Sequence, residues 1–247
     1  MNEIVGIRRE DKNEWERRVP IIPEHIRTIK EKYAIDFYVQ PFERRAFLDD
    51  EFREAGAQIT ENFSRAKVIF AVKEIPTRLI IPQKTYLFFS HTVKGQSYNM
   101  PLLQRMLETS STLIDYERIA DTEGRRLVFF GRFAGLAGMI DALYGLGQRL
   151  RWHGYISPFI EVKPSYEYKD LEEAKSKLRE LRRFINTQGL PRAYAPYIFG
   201  FAGYGNVSLG AQEILDILPV QTITPEQLPE ISKSKDNKIL YLSLIHI

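Results

Sequence analysis

The chain has 247 residues, 44% hydrophobic and 27% charged, ordinary values for a globular protein of one large domain or two modest ones. Its 35 lysines and arginines nearly balance 32 acids, and a dispersed net charge of +3 gives no footprint for nucleic acid or a membrane surface. With no cysteine, disulfides, thiol catalysis and cysteine-ligated metals are excluded, and a reducing cytoplasm fits.

The N-terminus is dense in charge from Arg8 onward and lacks the apolar core of a signal peptide. Ile4 to Ile7 reads as a first strand. Pro23 suits the first turn of a helix running to about Lys32, because its missing N–H costs nothing there. Phe37 to Val39 is a strand, Asp49 to Gly56 a short helix, and Val68 to Val72 a strand that runs into Lys73-Glu74. Tyr86 to Phe89 is a buried strand that turns polar at once, delivering Ser90, His91, Thr92, Lys94 and Gln96 to one loop. A helix over Tyr98–Leu107 leads to a strand at Leu113–Tyr116, followed by Glu117. A turn at Gly124–Arg126 precedes a further strand at Leu127–Phe130. This alternation predicts an α/β fold with a doubly wound, mostly parallel sheet.

From Gly131 a long helix is expected, with Gly131, Gly135, Gly138, Ala142 and Gly145 forming one stripe of small residues. Each interior glycine costs about 1 kcal/mol relative to alanine, so close approach of another element is the natural compensation; breaks in the helix are the alternative. Arg132, Asp141 and Arg149 lie inside this apolar run. At roughly 2.5–3.5 kcal/mol each in mid-membrane, they exclude a spanning helix. Asp170 to Arg183 is an amphipathic helix with Leu171, Ala174, Leu178 and Leu181 on its apolar face. Tyr197 to Phe201 is a strand feeding Gly203, Tyr204 and Gly205, and a helix follows to about Leu218. Val220 to Ile223 is a second short strand, and the tail from Ser232 turns polar. Three regions result: a substrate and catalytic domain over 1–130, a linking helix and connector over 131–195, and the start of a nucleotide-binding domain over 196–247.

Two constellations carry chemistry. Lys73, His91 and Glu117 follow three successive strands; if those strands are parallel neighbours, the three side chains converge where open α/β sheets hold their ligands. Arg18, Glu74, Lys94 and Gln96 lie near them in sequence. Histidine titrates near neutral pH and lysine can be brought there by burial, so the pair suits proton transfer. Structural hydrogen bonding and plain solvation are the alternatives. The second constellation is the strand–glycine–helix unit at 197–218. Gly203 and Gly205 allow a tight turn against a pyrophosphate, and Asn206, Val207 and Ser208 open a helix with free N–H groups. Ser208 stands where a third glycine is usual. The same glycines also suit an ordinary turn. No acid follows the second strand, where Thr224 stands; this leaves NADP or NAD open.

The segments GIRREDKNEWERRVP, FFSHTVKGQSYNMPLL, LIDYER, FFGRFAGLAGMIDAL and GYGNVSLGAQEIL resemble, in order, the lysine-ketoglutarate reductase module. That module is the lysine-forming saccharopine dehydrogenase in the N-terminal half of aminoadipic semialdehyde synthase. More distantly, the chain is similar to alanine dehydrogenase and the transhydrogenase N-terminal domain. The resemblance spans about Ile4 to Tyr241. It implies NAD(P)H-dependent condensation of lysine with 2-oxoglutarate to saccharopine, on a substrate domain followed by a Rossmann domain. It implies Lys73 and His91 as the acid–base pair, with Glu74 and Glu117 tuning them. Arg18 would hold a substrate carboxylate with Lys94 and Gln96 beside it, and Arg125 and Phe130 would lie near the cofactor. No metal is implied, and a homo-oligomer is plausible if the glycine stripe faces a partner. With two strands counted after residue 195, and Leu242 to Ile247 departing from the family pattern, the Rossmann domain reads as truncated and the chain as a fragment of little activity. An alanine-dehydrogenase-like enzyme and a non-catalytic binding domain of the same fold are the rival readings.

Overall fold

The structure, a computed structural model, describes residues 2–245. It forms two compact units, Met1–Phe129 and Phe130–Ile247.

The first unit is one sheet flanked by helices. Its strands are β1 (Glu3–Ile7), β2 (Ile35–Val39), β3 (Gln58–Ile59), β4 (Val68–Phe70), β5 (Thr85–Phe88) and β6 (Thr112–Asp115), in the order β3-β2-β1-β4-β5-β6. Every neighbouring pair is parallel. Successive side chains of a strand face opposite sides, so Ile4 and Ile7 serve different cores. Ile7 packs with Phe37, Val39, Ile26 of helix α1 (Pro23–Lys32) and Phe52 of helix α2 (Asp49–Glu54). Ile4 packs with Ile69, Tyr86, Phe88, and Leu102 and Met106 of helix α3 (Met100–Glu108). Pro23 stands at the first turn of α1, with Glu24 early and Lys30 and Lys32 late, as the helix dipole favours.

The chain winds outward through β1, β2 and β3, then returns to the other side of β1 with β4. The carboxyl ends of β1 and β4 therefore flank the reversal point, where doubly wound sheets leave a crevice. The strand expected at Leu127–Phe130 does not form. Asp121 accepts from the N–H groups of Glu123 and Arg125, and the N–H of Leu127 returns to Ile119 O at 2.9 Å. The segment folds back on its own approach, pairing only at Ala120 and Arg126.

The second unit is built on helix α4 (Gly131–Trp152), which runs unbroken. Helix α5 (Leu171–Gln188) is capped by Asp170, whose carboxylate accepts from Glu173 N at 2.9 Å, and ends at Gly189 with φ +75°. Residues 131–195, expected as a linker, supply much of this unit's core, including Leu136, Leu143, Leu150, Phe159, Leu178 and Ile185. Only part of the small-residue stripe meets a neighbour. An added Cβ at Gly135 would stand 2.0 Å from Val207 O of helix α6 (Asn206–Leu215), and one at Gly131 3.0 Å from Asn206 Cβ. One at Gly138 or Gly145 would meet nothing within 4 Å, and Ala142 is exposed. The contact is instead completed from the other side by Gly210, whose Cβ would stand 2.1 Å from Arg132 O.

Among the described residues three strands, rather than two, follow residue 195: β7 (Tyr197–Ala202), β8 (Val220–Ile223) and β9 (Leu240–Ile245), all parallel, in the order β7-β9-β8. The strand not counted from the sequence, β9, is the central one, with Leu240, Tyr241 and Leu242 buried. A short helix α7 (Leu228–Ile231) precedes it. Among the described residues no helix is long and apolar enough to cross a membrane.

Candidate active site and nucleotide turn

Strands β4, β5 and β6 are adjacent and parallel, so the segments after them, carrying Lys73, His91 and Glu117, leave the same edge of the sheet side by side. The segment after β1 adds Arg8, Glu10, Lys12, Glu16 and Arg18 at the reversal point.

His91 is the best-defined of these. Its Nδ1 lies 2.7 Å from Glu74 Oε1; a carboxylate only accepts, so Nδ1 carries the proton and Nε2 is the nitrogen left to exchange one. The same Glu74 oxygen accepts from Lys12 Nζ at 2.7 Å, while Glu74 Oε2 is buried without a partner among the described atoms. Burial would raise the Glu74 pKa, but the bond from Lys12, its own backbone N–H, and the bond and charge of His91 outweigh it and hold the carboxyl below its ordinary value. His91 has φ +53°, left-handed backbone that costs a residue with a Cβ roughly 1–2 kcal/mol. Its ring is stacked on Phe89, with centroids 6.4 Å apart.

Lys73 is held by its backbone. Its N–H donates to Glu10 Oε2 at 2.9 Å, and the N–H of Val72 donates to Glu10 Oε1 at 2.6 Å. Glu10 is 2% exposed, and burial pushes its carboxyl up to about 7; the two backbone donors and the Arg8 charge pull the other way, and the Glu16 charge adds to the rise. Arg18 is paired in a fork with buried Glu16, at 2.7 Å from Nε and 2.5 Å from the terminal nitrogen. Burial would raise Glu16; Arg18's hydrogen bonds and charge, with the Lys73 charge, bring it below its ordinary value. Glu117, 11% exposed, pairs with Arg126 at 3.3 Å. Gln96 accepts from Tyr98 Oη at 2.9 Å, and Lys94 is exposed.

In the second unit β7 runs into Gly203, whose φ of +93° only glycine adopts freely, and Gly205 precedes α6 with no side-chain cap. The first N–H groups of α6, at Asn206 and Val207, are thus available to an anion. The Ser208 hydroxyl accepts from Gln212 Nε2 at 3.0 Å, and Gly210 makes the tight contact with α4. Thr224 follows β8, and the strand next to β7 is β9 rather than β8. Arg125 is bound to Asp121 and Glu123 in a surface turn, and Phe130 stands at the start of α4, 39% exposed.

Residues 6–137 match the alanine dehydrogenase/PNT N-terminal domain family. The chain belongs to that family. Its fold is shared by an L-alanine dehydrogenase (TM-score 0.59, 18% identity, 97% of this chain, 60% of that one). It is shared too by the transhydrogenase from Sinorhizobium meliloti (TM-score 0.51, 16% identity, 97% and 61%). Among curated relatives, the mitochondrial alpha-aminoadipic semialdehyde synthase of Rattus norvegicus is 40% identical over 238 residues, 96% of this chain and 26% of that protein. That of Arabidopsis thaliana is 42% identical over 235 residues, 93% and 22%. The NAD(+), L-lysine-forming saccharopine dehydrogenase of Neurospora crassa is 30% identical over 186 residues, 73% and 48%. The chain thus spans about a quarter of the length of the first two.

Within this alanine dehydrogenase/PNT N-terminal unit, sequence reasoning missed Glu10, Lys12, Glu16 and Asp115. Glu10 and Glu16 sit in a charge-dense stretch that looks solvated, yet they are 2% and 7% exposed. The only signal available was their place in the segment that follows a strand at the sheet's reversal point. Among the described residues, no group of three or more His, Cys, Asp or Glu is placed to hold a metal.

Proposed function

We propose that the chain is part of an NAD(P)H-dependent reductase that condenses L-lysine with 2-oxoglutarate to saccharopine, with Lys73 and His91 as its acid–base pair. The observation that carries this reading is the His91–Glu74–Lys12 cluster beside Lys73 and the Glu16–Arg18 fork, at the carboxyl edge where such sheets bind ligands. The 40% identity to proteins named for aminoadipic semialdehyde synthesis supplies the substrate class.

The chain's own residues then do the following. Arg18 presents a half-exposed guanidinium, 46% accessible, that takes one carboxylate of 2-oxoglutarate while Glu16 fixes its plane. Lys94 and Gln96 lie on the loop beyond His91 and bind outer carboxylates. Lysine's amine adds to the ketone. Lys73 Nζ and His91 Nε2 remove the amine proton and protonate the carbinolamine hydroxyl, so that water leaves and an imine forms. Glu74 holds the imidazole by Nδ1, and Glu117 adds negative charge beside the pair. The uncapped start of α6 at Gly205–Val207 and the Gly203 turn fit a dinucleotide pyrophosphate. A nicotinamide cofactor, when bound, would supply the hydride for reduction of the imine.

The test is NADH and NADPH oxidation with lysine plus 2-oxoglutarate, omitting each in turn, on this chain and on a version extended at its C-terminus. Turnover that requires both substrates is expected in the extended protein, with little from the chain alone. Turnover with pyruvate and ammonia instead, or none in either protein, would overturn the proposal.

A further inference from the structure

Asp115 ends β6, 6% exposed, and its two carboxylate oxygens are divided between two loops. Oδ1 accepts from the N–H of Glu117 at 2.8 Å. Oδ2 accepts from Ser90 Oγ and from Ser90 N at 3.3 Å. The Ser90 hydroxyl, its proton thus committed to Asp115, accepts from Thr92 N at 3.1 Å and from Thr92 Oγ1 at 2.7 Å. The chain is thereby wrapped around the residue between them, His91, which takes the left-handed conformation at φ +53°. Asn99, itself buried, closes the loop from the far side by donating to His91 O at 3.5 Å.

From this geometry we infer that Asp115 is the positioning residue of the site: one buried carboxylate that sets the His91 loop and the Glu117 turn relative to each other. It touches neither side chain. It acts through Ser90 on the backbone of His91, and directly on the backbone of Glu117. Carrying both loops on one carboxylate locks the imidazole's approach to Glu74 to the place where Glu117 leaves the sheet. An asparagine there has one acceptor oxygen; if it keeps Glu117 N, the amide NH2 faces Ser90 N, a donor against a donor, and the Ser90 hydroxyl must turn from donor to acceptor. The inference rests on the proposed roles of His91 and Glu117, but the positioning itself is measurable without turnover.

The experiment is NMR of histidine-labelled protein, following the downfield proton on His91 Nδ1 that the Glu74 carboxylate produces and assigning it by its loss in His91→Ala. Asp115→Asn and Ser90→Ala are each expected to shift or abolish that signal, Ser90→Ala by removing the hydroxyl that ties the His91 loop to Asp115 while leaving the Glu117 arm intact. In the extended protein, kcat is expected to fall about 10²-fold in Asp115→Asn, with KM for both substrates changing much less. A His91 signal unchanged in both folded variants would overturn the inference, and should Asp115→Asn not fold, Ser90→Ala decides alone. A signal lost without any change in kcat upholds the positioning and instead overturns the acid–base reading of His91.

Discussion

Glu10 is protonated over a pH range in which an exposed glutamate is ionised. Its folded pKa is raised from 4.5 to about 7, so the folded chain binds a proton more tightly than the unfolded one. Its contribution to stability is full below about pH 4.5 and is lost as pH rises through about 7. Glu16 and Glu74, held below their ordinary values, act in the opposite sense and lose their contribution as pH falls. Comparing Glu10→Gln with the parent isolates the first term. Urea unfolding at pH 5 and pH 8 is expected to show a smaller loss of stability across that interval in the variant, the difference being on the order of a few kcal/mol. His91→Ala in the extended protein is expected to lower kcat by roughly 10²–10⁴, read from NADPH oxidation; an unchanged rate would remove His91 from the chemistry. His91 and Lys73 were legible in the sequence because each follows an apolar strand abruptly. Glu10, Glu16 and Asp115 were not. Whether a carboxyl is solvated or buried depends on which backbone N–H groups close over it, and those come from residues 62 positions away at Val72, or 25 away at Ser90.

Helix α4 shows the same limit for small residues. The spacing of its glycines indicated close packing, but Gly135 is pressed against α6 while Gly138 and Gly145 face open space. Gly135→Ala and Gly210→Ala are therefore expected to destabilise by about 1–3 kcal/mol through forced backbone shifts. Gly138→Ala and Gly145→Ala are expected to stabilise by about 0.5–1 kcal/mol, because they improve helix propensity at no steric cost. Thermal unfolding of the four variants checks both signs. Gly147, outside the expected stripe, is also tight, its Cβ falling 2.4 Å from Phe159 O. A period locates a face of a helix; it does not say which part of that face another backbone crosses.

At the scale of the whole chain, the first unit has its own buried clusters and a six-stranded parallel sheet, so residues 2–129 alone are expected to unfold in one cooperative transition. Phe52→Ala in that fragment is expected to cost about 3–5 kcal/mol, since Phe52 is fully buried between α2 and the sheet. Circular dichroism through a urea titration measures both. The sequence by itself determined the alternation of strands and helices, the polar turns after β4, β5 and β7, and the absence of thiol chemistry. These follow from local periodicity and residue type. Only the tertiary structure decided that β9 lies between β7 and β8, that Glu10 closes under Lys73, and that Asp115 joins two loops. Strand order and the burial of a carboxyl are set by contacts between distant segments, and no local pattern encodes which distant segment arrives.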